Sequence, residues 1–221
     1  MKPLSRLELA RCIDHTLVQP EARRQDVARL CVEAREHGFH GVSVNGSRVE
    51  LAYALLEDTE IKVIGLVGFP FGASDADVKR YETEVAIDHG AHEIEMVLNI
   101  GRLKEGDNRY VLRELRDIAE AADERPVSVI LETSLLTPQE RNLACVLALD
   151  SGVHFVSSGT GLNASATIAD VHGLRAAVGE KFGVKASGGI NDAKIAKALI
   201  EAGATRLGTP DGVAIVSSLP Q

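Results

Sequence analysis

Short apolar runs alternate along the chain with longer amphipathic segments. "GVSV", "KVIGLV", "EIEMV", "PVSVILE" and "GVKAS" have strand length, whereas "DVARLCVEAREH", "DADVKRYETEVAIDH" and "TPQERNLACVLALD" carry apolar residues at helical spacing. A recurring phrase joins the two kinds of segment: "EHGFHGVSV", "DHGAHEIEMV", "DSGVHFVSS" and "EAGATRLGT". Each sets a glycine (Gly38, Gly90, Gly152, Gly203) just past a helix-like stretch and two or three residues before an apolar run. A helix-terminating glycine that hands the chain to a strand has this placement. Filling the intervals predicts strands near 12–17, 41–45, 62–69, 94–100, 127–132, 154–158, 183–187 and 205–209, with helices between them.

Strands this continuously apolar are buried on both faces, which favours a parallel sheet. Eight βα units in 221 residues predict one α/β domain over 1–221, a (β/α)8 TIM barrel. An open doubly wound sheet is the alternative fold. No G-x-G-x-x-G follows the first strand to support its dinucleotide-binding form.

Composition narrows the function classes. With 45% hydrophobic residues the chain can bury a sizeable core. Net charge is −8, acidic and basic residues are interspersed and aromatics make up 4%, so neither a basic stripe nor a stacking platform is offered to nucleic acid. No window approaches the roughly 18 apolar residues of a membrane span, and the N-terminal stretch lacks the apolar run of a signal peptide. Cys12, Cys31 and Cys145 are odd in number and widely spaced, which fits small core residues in a reducing compartment. The expectation is a cytoplasmic protein with neither a nucleic-acid nor a membrane partner.

In a barrel of this kind chemistry sits at the C-terminal ends of the strands. His40, His92 and His154 follow the helix-stop glycines and are therefore expected at the opposite, bottom face. The His37/His40 and His89/His92 spacings would need further convergent ligands to hold zinc, so no metal and no cofactor are expected. His15 lies instead in the second half of the first strand. The strand-end side chains expected at the top are Asp14 and Thr16, Ser43, Glu95, Glu132, Ser157 and Ser158, with Lys185 inside the seventh strand. Gly188, Gly189 and Asp211 lie just beyond strand ends. An ammonium aimed into a barrel must meet a carboxylate or lose its charge, and Glu95 and Glu132 are the candidate partners for Lys185.

The segments "IDHTL", "LVGFPFGAS", "DVKRYETEVAIDHGAHEIEMVLNIGRLKEGD", "VILETSLLT", "VKASGGI" and "EAGATRLGTPDGVAIV" together resemble the deoxyribose-phosphate aldolases, in the right order from about residue 11 to 216. The resemblance implies a class I aldolase on a (β/α)8 barrel, commonly dimeric, that acts on small carbonyl compounds through a lysine Schiff base. It places the nucleophilic lysine in a sixth-strand "FVKTSTG" motif, where this chain reads "FVSSGTG" and has Ser157. The family's fourth-strand aspartate corresponds to Glu95, its second-strand cysteine to Ser43, and a fifth-strand lysine to Ser128. Lys185 corresponds to a helper lysine that lowers the basicity of the missing one. Gly188 and Gly189 keep the glycines of the phosphate cradle, but Pro210 and Asp211 stand where a serine pair is expected.

Three readings follow. In the first, an aldolase-type lyase uses Lys185 as its amine and Glu95 as acid/base on a small, non-phosphorylated carbonyl substrate, lined by Asp14, Thr16, Ser43, Ser157, Ser158, Gly188, Gly189 and Asp211. In the second, Glu95 and Lys185 enolise, dehydrate or cyclise such a compound without a covalent intermediate. In the third, the chain is an inactive homologue that binds a ligand or partner. Asp211, at the N-cap position of "GVAIVSSL", is expected to accept the helix-start N–H bonds itself and so fill the anion site.

Overall fold

The computed structural model describes residues 4–219, so the ends of the expected domain, 1–3 and 220–221, lie outside the described residues. Eight parallel strands close into a barrel in sequence order. They are β1 (Ile13–Leu17), β2 (Gly41–Asn45), β3 (Lys62–Val67), β4 (Glu93–Val97), β5 (Val127–Ile130), β6 (Phe155–Ser157), β7 (Gly183–Ser187) and β8 (Arg206–Thr209). Each falls on a predicted apolar run. The C-terminal ends of several runs leave the ladder earlier than the hydrophobic pattern suggests, and Gly68, Leu98 and Leu131 belong to loops.

The helices α2 (Arg24–His37), α3 (Val49–Leu56), α4 (Ala76–Asp88), α6 (Asn108–Ala121), α7 (Pro138–Leu149), α8 (Ile168–Val178) and α9 (Ala193–Glu201) connect successive strands. The shorter α1 (Arg6–Ala10), α5 (Ile100–Lys104) and α10 (Gly212–Ser217) flank β1, precede α6 and follow β8. Sequence chemistry sets the helix ends. Thr137 caps α7 in a reciprocal bond pair with Glu140, with Pro138 at the first helical position. Gly38 ends α2 at φ 65°, and Gly90, Gly152 and Gly203 also have positive φ.

The bottom face carries the histidines as expected. His92 Nδ1 accepts from the Val63 N–H at 3.0 Å and His154 Nδ1 from the Val127 N–H at 3.2 Å, while His40 pairs with Glu93 at 2.9 Å. They tie neighbouring strand starts together. Burial fills the space between helices and strands with Val, Leu, Ile and Ala. The barrel interior differs. Its buried side chains include Asp14, Glu95, Ser128, Ser157 and Lys185, and this concentration of polar groups inside a packed barrel locates the site.

A second buried charge pair lies outside the barrel. Lys79 on α4 and Glu114 on α6 are both fully buried with 3.0 Å between them, and Lys79 also donates to the Val97 carbonyl at 2.9 Å. Burial draws the Lys79 ammonium below and the Glu114 carboxyl above their usual ranges, against the mutual attraction of the pair. A lysine at a helical position reads as solvent-facing, so this pair is not foreseen by periodicity.

Candidate active site

Strand alternation aims every second residue inward. Along β7 that parity selects Lys185 and Ser187, along β4 Glu93 and Glu95, and along β8 Arg206 and Gly208. Register then brings them to common levels: Ser157 pairs with Lys185, Lys185 with Arg206, and Asp14 with Gly208. At Gly208 a side chain would approach Lys185 Cε to 3.0 Å and collide with Ser187 Oγ. The missing side chain leaves room for the lysine to cross the barrel.

Lys185 Nζ lies 2.7 Å from Glu95 Oε2 and 2.7 Å from Asp14 Oδ2. All three groups are buried. Burial alone would draw the ammonium down, but the charges and hydrogen bonds of Asp14 and Glu95 outweigh it and hold Lys185 above its ordinary range. Glu95 is thus the partner that the sequence suggests. Glu132, the other candidate, is engaged elsewhere: it accepts from Thr160 Oγ1 at 2.7 Å and from Asn163 Nδ2 at 2.9 Å. Glu132 sits at φ 55°, a left-handed conformation uncommon outside glycine, and its carboxylate fastens the loop after β6.

Two residues, Asp14 and Arg206, complete the arrangement in roles that sequence reasoning does not assign. Asp14, expected to touch substrate, is instead the second carboxylate on Lys185. Its other oxygen accepts from Arg206 Nη1 at 3.0 Å. Arg206 reaches Glu93 at 3.2 Å and lies over the Phe155 ring, its charge 5.4 Å from the ring centre. Glu93 is half-buried, which alone would raise its pKa, yet hydrogen bonding from His40 and the Arg206 charge lower it to about 2. Strand parity was the available signal for Arg206, because it stands two residues before the inward Gly208.

A cavity of about 170 Å³ opens above the ion pairs. It is smaller than the roughly 300–1,000 Å³ of pockets for drug-sized ligands, which suits a small molecule. Lys185 and Glu95 form part of its floor, and Thr16, Ser43, Gly188, Gly189 and Asp211 also line it. Leu66, Phe69 and Ile130 supply apolar wall, and Gln19 a further polar group.

Ser157 and Ser158 are not in the cavity wall. Ser157 is fully buried and its hydroxyl has no hydrogen-bond partner among the described residues. Ser158 Oγ accepts from the Ser187 N–H at 3.1 Å and stitches the ends of β6 and β7 together. His15 turns away from Lys185 and pairs with Glu33 of α2 at 2.7 Å.

Asp211 takes the N-cap position of α10, but its carboxylate makes no capping bond. The expected filling of the anion site by Asp211 is therefore not realised. Backbone geometry explains the difference: at φ −97°, ψ 20° the residue departs from the extended conformation of most N-caps. The carboxylate stays exposed at the cavity rim. Gly188 and Gly189, at φ 100° and 66°, keep the turn of a backbone cradle. Ser165 and the Ala164 carbonyl pack over their Cα atoms, where side chains would clash.

The buried amine and carboxylates beneath a small cavity are suited to chemistry next to a carbonyl group. Among the described residues no cluster of three or more His, Cys, Asp or Glu could hold a metal ion, and no helix is long and apolar enough to cross a membrane.

No family model matches the chain. Whole-length relatives do. The chain is 47% identical to a deoxyribose-phosphate aldolase of Bdellovibrio bacteriovorus over 211 residues, covering 95% of this chain and 96% of that one. Among solved structures it resembles the aldolase QR15, with TM-score 0.92, 30% identity, and 96% and 95% of the two chains covered. It also resembles the deoxyribose phosphate aldolase of Aeropyrum pernix, described as a tetramer, with TM-score 0.91, 29% identity, and 97% and 92% covered. Identity at this level across nearly the full length of both chains goes well beyond a shared barrel: the chain belongs to the deoxyribose-phosphate aldolase family, a family of lyases.

Proposed function

We propose that the protein is an aldol-type lyase that makes or breaks a carbon–carbon bond next to the carbonyl of a small substrate, with Lys185 as its amine and Glu95 as its acid/base. The observation that carries this reading is that both groups reach one small cavity with 2.7 Å between them. At that distance a proton can pass from Nζ to Glu95 Oε2. The neutral amine then adds to the substrate carbonyl carbon and Glu95 returns the proton to the carbonyl oxygen; a second proton, carried by Glu95 from the nitrogen to that oxygen, lets it leave as water and gives the cationic imine. The cationic imine draws electrons from the bond between its α and β carbons as Glu95 takes the β-hydroxyl proton and that fragment leaves as an aldehyde; return of the proton to the enamine carbon restores the imine, and water then hydrolyses it to release the amine.

The exposed Asp211 carboxylate at the rim opposes a phosphate dianion, which supports a substrate whose outer end is neutral or cationic. We place the protein in the cytoplasm, which its three unpaired cysteines support, and take it to be a homo-oligomer, as the Aeropyrum pernix relative is described.

A second reading has its own observation. Asp14 and Glu95 hold Lys185 as a cation, and a cation can polarise a carbonyl oxygen while Glu95 moves a proton at the neighbouring carbon, without a covalent step. Borohydride reduction in the presence of small aldehydes and ketones separates the two. A reduced adduct on Lys185 supports the covalent reading, and turnover without any adduct supports the second.

A further inference from the structure

We propose that Arg206 is a positioning residue for Lys185: by holding one oxygen of Asp14 it divides that carboxylate between two cations, and so sets how tightly Lys185 keeps its proton. The inference rests on Lys185 being the reactive nitrogen, but its test reads Lys185 directly and needs no substrate.

The geometry is specific. Asp14 Oδ2 faces Lys185 Nζ at 2.7 Å and Asp14 Oδ1 faces Arg206 Nη1 at 3.0 Å. The two basic residues are partners in the β7–β8 ladder, which sets both side chains beside the same carboxylate. Below Asp14 the charges continue to alternate: Arg206 meets Glu93 at 3.2 Å, and Glu93 meets His40 at 2.9 Å. A column of Glu95, Lys185, Asp14, Arg206, Glu93 and His40 thus runs from the cavity floor to the bottom face.

A carboxylate that serves two cations binds each less firmly than one that serves a single cation. Lys185 faces Asp14 from β1 and Glu95 from β4, has Arg206 beside it on β8, and meets the uncharged Ser157 on β6. Arg206 faces Asp14 and Glu93, and Cys12, just before β1, lies within reach of its charge. Ser157 brings no charge to the β6 side, so Arg206 is the second cation on the carboxylates that hold Lys185. Its guanidinium cannot substitute as a nucleophile, because it stays protonated. Its influence passes through Asp14.

Competitive acetylation at about pH 8, read lysine by lysine by mass spectrometry, measures the free-amine fraction of Lys185. Rates are expressed relative to exposed Lys181 and to fully buried Lys79, which reports any general opening of the fold. Arg206→Gln gives Asp14 wholly to Lys185 and should slow its labelling about tenfold, the equivalent of one pKa unit. Glu93→Gln leaves Arg206 to Asp14 alone and should speed it. Arg206→Lys, which keeps a cation, should restore most of the wild-type rate.

A purely structural role would move the two glutamine variants in the same direction or leave both unchanged, and either outcome overturns the proposal. If Arg206→Gln does not fold, Glu93→Gln decides: faster labelling of Lys185 relative to Lys79 is required, and an unchanged or slower rate overturns the inference. Absence of a borohydride adduct in the wild type counts against the covalent reaction and does not bear on the labelling shifts.

Discussion

Ser157 and Lys185 stand opposite each other in the β6–β7 ladder, both buried, and of the two only Lys185 bears an amine. The resemblance to the aldolases implies a lysine on both strands. A second ammonium at 157 would disfavour the charged form of its neighbour, whereas here Lys185 answers to two carboxylates. Ser157→Lys should therefore raise the free-amine fraction of Lys185 and speed borohydride trapping by any carbonyl compound that the cavity admits. It should also lower the melting temperature, since a cation is placed at a fully buried position. Trapping rate and melting temperature measured on the same preparation check both effects.

Removing the amine should cost stability as well as activity. Lys185→Met leaves Asp14 with Arg206 but strips Glu95 of its cation inside the barrel. Breaking one partner out of a buried charge cluster costs about 3–5 kcal/mol. Urea unfolding of the variant should show a loss of that size, and an unchanged midpoint would mean that the cluster is not the buried unit the distances describe.

Strong acid should weaken the bottom of the column. His40 and Arg206 keep Glu93 charged down to about pH 2 in the folded chain, below the roughly 4.3 of a free glutamate. A depressed folded value means that this stabilisation is complete above the unfolded pKa and is lost as pH falls through the folded one. Between about pH 4.3 and 2 the wild type should lose stability more steeply than Glu93→Gln. Parallel stability curves through that window would contradict the assignment.

Most of the barrel is legible in the sequence because its signals are local. The apolar runs, the glycines at 38, 90, 152 and 203 and the histidines that follow them each report on a few adjacent residues, and the strands fall where those signals lie. The Lys185–Glu95 pair is legible for a different reason: a buried ammonium demands a carboxylate, and few are available at strand ends. What stays hidden depends on closure. Asp14 meets Arg206 across 192 positions of chain, and only the β1–β8 pairing that closes the barrel brings them together. Lys79 and Glu114 likewise meet only once α4 packs on α6. Asp211 fails in a third way, because its residue type suits a cap and its backbone conformation does not.

The rim carboxylate gives a prediction about ligands. Deoxyribose 5-phosphate cleavage should be very slow, far below the typical enzymatic turnover of about 10 per second, because Ser157 offers no amine and Asp211 opposes the phosphate. Asp211→Ser should create measurable binding of inorganic phosphate by calorimetry at the Gly188–Gly189 turn. Binding of equal strength to the wild type would show that Asp211 does not exclude the anion.

The most direct test of the account is to incubate the protein with a panel of small aldehydes and ketones, reduce with borohydride, and map the added mass by peptide mass spectrometry. The account predicts a single reduced adduct on the peptide containing Lys185, absent when Lys185 is replaced by methionine and diminished in Glu95→Gln. An adduct confined to another lysine, or catalytic turnover of one of these compounds with no adduct at all, would contradict it.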